Sequence, residues 1–239
     1  MTLTLIGTGV AFDITLTGLE SLKAADEAYI ETYTNPVADQ SRVSTLETLC
    51  GKKFILIPRE KVESKFLLER AKNKEVCLLV SGDPMIATTH VSLFLDAKEL
   101  DVSVRIIHNS SIYSVAPALS GLQVYRFGKT ATLVNPRPNY KPTSSLEIIR
   151  ENQSRNLHTL VLLDTEPQPM EALTALETLK EFDSSRFIVI SRAGWPDQLI
   201  NFGQINVLSK KNLGKPPFVI IVPTKHHVVE EEFLTKTFI

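Results

Sequence analysis

Three apolar stretches of the chain end in turns whose residues could bind a ligand. Glycine and short polar side chains predominate in these turns, which are Gly7-Thr8-Gly9-Val10, Ser81-Gly82-Asp83-Pro84 and His108-Asn109-Ser110-Ser111-Ile112. Glycine has no Cβ, so a ligand can approach its backbone closely. The carboxylate in the second turn could attract an amine or another cation. Such groups bind and orient a ligand, and they do not by themselves make a reactive nucleophile.

Each turn also has an ordinary structural interpretation. Asp is a preferred residue before a helix and Pro a preferred first helical residue, so Asp83-Pro84 could simply start a helix. Ser110 or Asn109 could cap the next helix in the same way. Gly82 is not needed for a cap, which favours an additional role for the second turn. Both interpretations remain open at this point.

A dinucleotide-binding fingerprint is incomplete in the first turn. The motif G-x-G-x-x-G needs a third glycine, and Phe12 occupies that position. Glu31, at the end of the second predicted strand, could be the acid that binds a ribose in such folds. A solvated charge at a strand end explains it equally well, so we do not expect a nicotinamide cofactor.

Other residue types point away from nucleophilic or metal chemistry. The sequence contains no G-x-S-x-G elbow and no phosphate-binding loop. His90 and His158 lie in apolar surroundings typical of packed or capping residues, and His226-His227 lacks a third ligand at recognisable spacing. We therefore expect no metal. A cleft of this composition suits a reaction in which a cofactor carries the reactivity and the protein orients the reactants.

The elements that position these turns follow from the hydrophobic pattern. Short β-like runs alternate with segments of helical period, which predicts an α/β fold with a mainly parallel sheet. Ligands bind such sheets beyond the carboxyl ends of the strands, where the three turns fall. After Ser120-Gly121 the sequence becomes rich in β-branched and aromatic residues and in proline. We therefore predict two α/β domains, residues 1–118 and 119–239. The start of the second domain predicts antiparallel strands and a long loop, and hence a mixed sheet.

Composition excludes several classes of protein. The chain has 239 residues, with 26 basic and 27 acidic side chains, a balance that argues against a nucleic-acid or anionic-membrane binder. No apolar run reaches the roughly 18 residues of a membrane span, and the first residues do not resemble a signal peptide. We therefore expect a cytoplasmic protein. Cys50 and Cys77 have no paired spacing and are predicted to be buried thiols.

Several segments together resemble the diphthine synthase family of the tetrapyrrole methylase superfamily. The segments are LIGTGVAFDITLTGLESLKAADEAYIETYT, LLVSGDPMIATTH, IIHNSSIYSVAPALSGLQVYRFGKTATL, NLHTLVLLD and FVIIVPTKHHVVEEEFL. They cover nearly the whole chain in order. The combination of S-G-D-P-x-x-A-T-T-H with Y-R-F-G-K resembles the motifs of this branch more closely than those of tetrapyrrole methylases in general.

The resemblance implies two α/β domains with S-adenosylmethionine bound in the cleft between them, and a homodimer. It also implies a protein substrate, the modified histidine of translation elongation factor 2, whose 3-amino-3-carboxypropyl amine is methylated. The chain lacks an extension found in eukaryotic relatives, so we expect the archaeal-type reaction, three methylations of the amine without a methyl ester. Carried over motif by motif, the cofactor contacts are Val10, Asp83, Ile86, Ser111, Ile112, Leu163, Ala193 and His227.

The resemblance assigns no catalytic acid or base. Two alternatives remain open beside it. One is a methyltransferase acting on a corrin or tetrapyrrole ring, which predicts activity on a small molecule alone. The other is a non-catalytic module that binds elongation factor 2, which predicts no affinity for the cofactor.

Overall fold

The computed structural model describes residues 1–34, 40–137, 142–182 and 186–238. The chain divides into two compact units between Ser111 and Ile112, whereas the sequence placed the boundary between residues 118 and 119. The difference is the helix Ile112–Ser120. Ala116 of this helix is fully buried in a core cluster of the second unit, and Val115 packs against the same cluster. The apolar face of the helix thus assigns it to the second unit.

The first unit is built on a five-stranded parallel sheet with the strand order β3-β2-β4-β1-β5. Its strands are β1 (Thr2–Gly7), β2 (Glu27–Glu31), β3 (Ile55–Ile57), β4 (Val76–Val80) and β5 (Ser103–Ile107). Its helices are α1 (Leu16–Ala24), α2 (Gln40–Cys50), α3 (Arg59–Val62), α4 (Phe66–Ala71) and α5 (Val91–Glu99). All five residues of β4 are buried, as expected for a central parallel strand covered on both faces.

Local sequence explains where the first helix begins. The Thr15 hydroxyl accepts a 3.0 Å hydrogen bond from the amide of Gly18, so Thr15 is the N-cap of α1. Leu22 is buried, whereas Leu16 is 81% exposed. Leu16, Leu19 and Leu22 stand at helical spacing, which predicts a helix here. The structure confirms this helix, although its buried face is formed by Gly18 and Leu22.

The hydrophobic period of the sequence predicts one helix over residues 61–73 and another over residues 84–100, and the structure differs from both predictions. The segment 61–73 forms two short helices, α3 and α4, instead of one. The segment predicted to be helical from Pro84 forms turns as far as residue 90, and α5 begins at Val91. Ala87 in this segment has a φ of 57°, a left-handed conformation that an α-helix cannot contain.

The second unit is built on a five-stranded mixed sheet with the strand order β6-β7-β10-β8-β9. Its strands are β6 (Ala131–Leu133), β7 (Thr159–Leu163), β8 (Phe187–Ser191), β9 (Leu199–Gly203) and β10 (Phe218–Val222). Its helices are α6 (Ile112–Ser120), α7 (Ser144–Ser154), α8 (Ala172–Thr178), α9 (Ile205–Leu208) and α10 (Val228–Phe238), with 3-10 turns at Val124–Arg126 and Lys180–Phe182.

Strand directions confirm the mixed sheet but correct one detail. β10 is antiparallel to both of its neighbours, β7 and β8, and β9 is antiparallel to β8. β6, however, pairs parallel with β7, where the sequence predicted antiparallel strands. Part of the long loop predicted after β6, residues 138–141, lies outside the described residues. The α/β class, the parallel first sheet and the mixed second sheet are confirmed.

Candidate functional site

The three turns singled out in the sequence meet at one edge of the first sheet. β1 lies between β4 and β5, and in a parallel sheet the residues after these strands emerge side by side. Gly9 and Gly82 form an isolated antiparallel bridge across the first two turns, with N to O distances of 3.1 and 3.0 Å. Both glycines are in the left-handed region, with φ of 65° and 75°. The bridge therefore depends on residues without a Cβ.

The turns pack most tightly at Gly7. A Cβ on Gly7 would lie 2.7 Å from the carbonyl oxygen of Gly82, 2.9 Å from Cβ of Asn109 and 3.0 Å from Cδ of Pro84. Two of these neighbours are backbone or ring atoms that cannot turn aside. Glycine at this position is thus a packing requirement of the three turns.

Replacing Gly7 by alanine is expected to lower the free energy of unfolding by about 1–3 kcal/mol, because the added methyl group must push the turns apart. Urea unfolding measures this change. Gly51→Ala is the control, since Gly51 has a φ of 70° but no atom within 4 Å of an added Cβ. It reports backbone strain without crowding. Equal stability of Gly7→Ala and the wild type would contradict the close packing.

Asp83 joins the second turn to the third. Its side chain is 7% exposed. Oδ1 accepts a hydrogen bond from the amide of Met85 at 2.9 Å, and Oδ2 accepts one from the amide of Asn109 at 3.2 Å and lies 2.8 Å from Nδ1 of His108. A carboxylate offers about four acceptor sites, so one remains for a ligand. The Met85 contact resembles a cap, but no helix follows before Val91, so the helix-start interpretation of Asp83-Pro84 is wrong.

Asn109 joins the third turn to the first. Its Nδ2 donates to the carbonyl oxygen of Gly7 at 2.9 Å and to that of Asp13 at 2.6 Å. Its Oδ1 accepts from the amide of Ser110 at 2.8 Å. The Ser110 hydroxyl accepts from the amide of Val10 at 3.4 Å. These polar groups therefore lock the turns to one another, a role that the sequence alone could not distinguish from helix capping.

The geometry also removes the dinucleotide interpretation. Phe12, where the third glycine would be, is left-handed with a φ of 58° and 9% exposed. A buried aromatic side chain therefore stands where the fingerprint requires a residue without a side chain. Glu31 is 3% exposed and lies 3.0 Å from Nε2 of His90. A buried carboxylate engaged in this way is not a strand-end acid available to a ribose.

The predicted contacts of the first unit fall at or beside these turns. Val10 belongs to the first turn. Ile86 lies beside Asp83, since its amide donates to the carbonyl oxygen of Asp83 at 3.2 Å, and its side chain is 42% exposed. Ser111 lies in the third turn, and Ile112, the next residue, opens helix α6 at the start of the second unit. The edge thus offers backbone, an acceptor oxygen and an exposed apolar side chain.

The predicted contacts of the second unit lie at two different edges of its sheet. Leu163 ends β7, and Ala193 follows β8. These strands run in the same direction, so both residues lie at one edge. β10 runs the opposite way, with its last residue Val222 paired to Thr159 at the start of β7. His227 follows β10 and therefore lies near the other edge.

The chain around His227 is held by a buried carboxylate. Glu230 is fully buried. Its oxygens accept from the amide of His227 at 2.7 Å and from the amide of Gln123 at 3.0 Å, and lie 3.3 Å from Nε2 of His158. The Arg126 guanidinium pairs with the same carboxylate. Glu230 thus ties the residues before α10 to the turn at residues 123–126.

Sequence reasoning missed Glu230 and also Arg42. Nη1 of Arg42 reaches from α2 to the carbonyl oxygen of Ala11 at 2.6 Å and to Oδ1 of Asp13 at 2.8 Å, which fastens the end of the first turn. Both residues lie in charged helical segments, and the sequence of such a segment predicts side chains exposed to solvent. No local signal marks them, because their partners are distant along the chain.

Within the described ranges, His, Cys, Asp and Glu side chains form no group of three or more that could hold a metal ion. The helices in those ranges are all too short or too polar to cross a membrane.

The parallel sheet with its glycine turns and the mixed second sheet define a class of protein. The family model of the tetrapyrrole (corrin/porphyrin) methylases matches residues 2–208. The chain therefore belongs to this family and is a methyltransferase.

Similarity to individual proteins narrows the family to one branch. The chain is 38% identical to diphthine synthase of Methanosarcina barkeri, over 98% of this chain and 95% of that protein. It is 38% identical to diphthine synthase of Methanocaldococcus jannaschii, over 93% and 92% of the two chains. A crystal structure of diphthine synthase matches it with a TM-score of 0.90 at 36% identity, over 100% of this chain and 96% of the other. The chain is a member of the diphthine synthase branch, and the resemblance found in the sequence is confirmed.

Proposed function

We propose that the protein transfers methyl groups from S-adenosylmethionine to the amine of the 3-amino-3-carboxypropyl histidine of translation elongation factor 2, giving the trimethylated product. The observation that carries this proposal is the near full-length similarity to diphthine synthases at 36–38% identity. The joined turns at the edge of the first sheet support it. They supply a binding surface rather than a reactive side chain, as a cofactor-driven reaction requires.

The residues at these turns fit the proposed cofactor. S-adenosylmethionine supplies an electrophilic methyl group on a sulfonium. The bridge between Gly9 and Gly82 presents backbone without side-chain bulk. Asp83 has an unused acceptor site for a hydroxyl or amino group, and the exposed Ile86 side chain provides an apolar contact. Val10 and Ser111 complete the set that we assign to the cofactor in this unit.

The protein's part in the reaction is to bind and orient. A side-chain amine with a pKa near ~10 is largely protonated at neutral pH, so the substrate must lose a proton before each methylation. Binding the neutral amine in line with the methyl group makes the reaction effectively unimolecular, and this lowers the entropic part of the activation barrier. The sequence and the structure assign no side chain to proton removal, and we propose none.

The remaining site residues are proposals that rest on the resemblance. Ile112, Leu163, Ala193 and His227 are proposed as further cofactor contacts. Because Leu163 and Ala193 share one sheet edge and His227 lies near the other, single substitutions will test them separately. We propose a homodimer on the same ground, which sedimentation of the purified chain would test.

The proposed function predicts methylation of a defined peptide. The protein would be incubated with S-adenosylmethionine and elongation factor 2 that carries the aminocarboxypropyl intermediate, and the modified-histidine peptide analysed by mass spectrometry. We expect up to three methyl increments on the amine. Elongation factor 2 without the intermediate is the control. Cofactor binding without any increment would contradict the substrate and favour a tetrapyrrole, and absence of cofactor binding would favour a non-catalytic module.

A further inference from the structure

His90 is buried directly beneath the Asp83 turn. Its side chain is 1% exposed. Nδ1 lies 2.8 Å from the carbonyl oxygen of Pro84. Nε2 lies 3.0 Å from Oε2 of Glu31 and 3.2 Å from the hydroxyl of Tyr33. Both ring nitrogens therefore have a hydrogen-bond partner within the first unit.

The nature of these partners decides the protonation of the ring. A backbone carbonyl can only accept a hydrogen bond, and so can an ionised carboxylate. When Glu31 is ionised, both ring nitrogens donate, one to Pro84 and one to Glu31, and a ring with two N–H groups is an imidazolium. Glu31 is equally buried. A buried charge is tolerated when it is paired; Oε2 of Glu31 pairs with the ring, whereas Oε1 is buried without a hydrogen-bond partner among the described residues.

The pair is connected to the turn that carries Asp83. The carbonyl oxygen of Pro84 accepts from His90 and also from the hydroxyl of Thr88 at 2.8 Å. No helix stabilises this segment, because α5 begins only at Val91. The bonds to Pro84 therefore restrain the turn together with the Gly9–Gly82 bridge and the contacts of Asp83, and among the described residues the Pro84 oxygen accepts from the side chains of His90 and Thr88.

Other titratable and charged groups surround the ring. Burial, and after it the Glu31 carboxylate, raise the pKa of Tyr33, so its hydroxyl stays protonated. Glu63 accepts from the neighbouring Thr89 hydroxyl at 2.9 Å and pairs with Arg59, whose guanidinium lies over the Tyr33 ring. Burial by itself would lower the pKa of His90. The hydrogen bond and the charge of Glu31 outweigh burial, so the pKa is raised above 6.5.

We propose that His90 is a positioning residue that, as an imidazolium paired with Glu31, holds the Asp83-Pro84 turn in the shape that binds the cofactor. This inference rests on the proposed cofactor role of the turn. His90 would not touch the cofactor and would act through Pro84. Loss of its second proton would remove either the bond to Pro84 or the bond to Glu31, and would loosen Asp83 and Ile86.

The direction of the pH effect follows from the raised pKa of His90. The stabilising contribution of the imidazolium is fully present below pH 6.5 and is lost as the pH rises through the higher pKa of the folded protein. Affinity for the cofactor should fall over the same interval. We expect a decrease of roughly fivefold or more, the usual scale of coupling between two linked sites.

The test combines spectroscopy with binding of S-adenosylhomocysteine, an unreactive analogue of the cofactor. Nitrogen-15 NMR of the full chain labelled at histidine should show both ring nitrogens of His90 protonated at pH 6.5, and calorimetry should show the affinity falling as that signal titrates. A neutral ring at pH 6.5 would overturn the proposal, and so would affinity that does not change while His90 titrates. Failure to bind the analogue at any pH would refute the proposed function instead, and would leave the NMR result to decide the state of His90.

The amino group of S-adenosylhomocysteine also titrates, so a substitution is needed to distinguish its effect on the pH profile from the effect of His90. Glu31→Gln removes the carboxylate and should move the pH at which affinity falls to a lower value. The ligand's own titration stays the same. Glu69→Gln is the matched control, because Glu69 is an exposed acid of α4 paired with Lys72, and it should leave the pH profile unchanged. An identical profile for Glu31→Gln and wild type would overturn the proposal. If Glu31→Gln does not fold, the wild-type measurements decide.

Discussion

Asp83→Ala is expected to weaken binding of S-adenosylhomocysteine by at least 100-fold. The substitution removes the acceptor proposed for the cofactor. It also removes the hydrogen bonds from the amides of Met85 and Asn109 and the contact with His108, so the second turn is no longer joined to the third. A hydrogen bond to a charged group contributes about 1.5–3 kcal/mol, and losing the ligand contact together with the joined turns accounts for the size of the effect. Isothermal titration calorimetry measures it.

A second aspartate provides the control for this experiment. Asp26 also accepts a hydrogen bond from a backbone amide, that of Glu75, at 2.8 Å, but it precedes β2 and so lies at the opposite edge of the first sheet. Asp26→Ala should leave the affinity within a factor of two of the wild-type value. Full affinity in a folded Asp83→Ala protein would remove Asp83 from the site. Thermal unfolding of both variants shows whether lost affinity reflects lost structure.

Glu230→Ala is expected to destabilise the second unit by about 3–5 kcal/mol. Removing one member of a buried ion pair leaves the other, here Arg126, without compensation. The amides of Gln123 and His227 also lose their acceptor. Urea unfolding followed by circular dichroism measures the change. Since the free energy of unfolding of most domains is about 5–15 kcal/mol, a loss of this size would be a large part of the total.

A neighbouring glutamate and the pH dependence make the Glu230 prediction specific. Glu232 lies on the same helix, pairs with Lys236 and has a side chain 56% exposed, so Glu232→Ala should change stability by less than about 1 kcal/mol. Burial would raise the pKa of Glu230, but hydrogen bonds from Gln123 and His227 outweigh burial and lower it below 4.5. The stabilisation is therefore present above pH 4.5 and is lost as the pH falls through the lower pKa of the folded state. Equal destabilisation by both variants would contradict the role of Glu230.

The sequence predicted that the three glycine and polar turns of the first unit lie at one edge of its sheet, and the structure shows them in contact. This prediction rests on local signals, since strand-end glycines and small polar residues mark the turns, and the strand-to-helix turns of a parallel sheet share one edge, which places Gly9, Gly82 and Ser110 there. The adjacency of β1 to both β4 and β5 was not predictable in this way, and it is what brings the three turns into contact.

Predictions from local residue preferences were wrong where tertiary contacts favour a different backbone conformation or strand pairing. Asp83-Pro84 has the residue types of a helix start, yet the hydrogen bonds from the amide of Asn109 to Asp83 and from His90 to Pro84 hold a non-helical segment up to Val91. In the second unit, β6 looked like an antiparallel strand. Its parallel pairing with β7 depends on the path of the intervening chain, which a single strand does not encode.

The sequence by itself determined the α/β class, the two-unit organisation, the family and the small polar turns, because these depend on hydrophobic period and on residues that are neighbours along the chain. Only the tertiary structure decided the state of buried polar groups. Glu31 and His90 are 59 residues apart, and Glu230 lies 104 residues from Arg126. Burial of a charge is tolerated only when another residue supplies the opposite charge and the hydrogen bonds. Because these partners are distant along the chain, the sequence alone predicts that such acidic side chains are exposed to solvent.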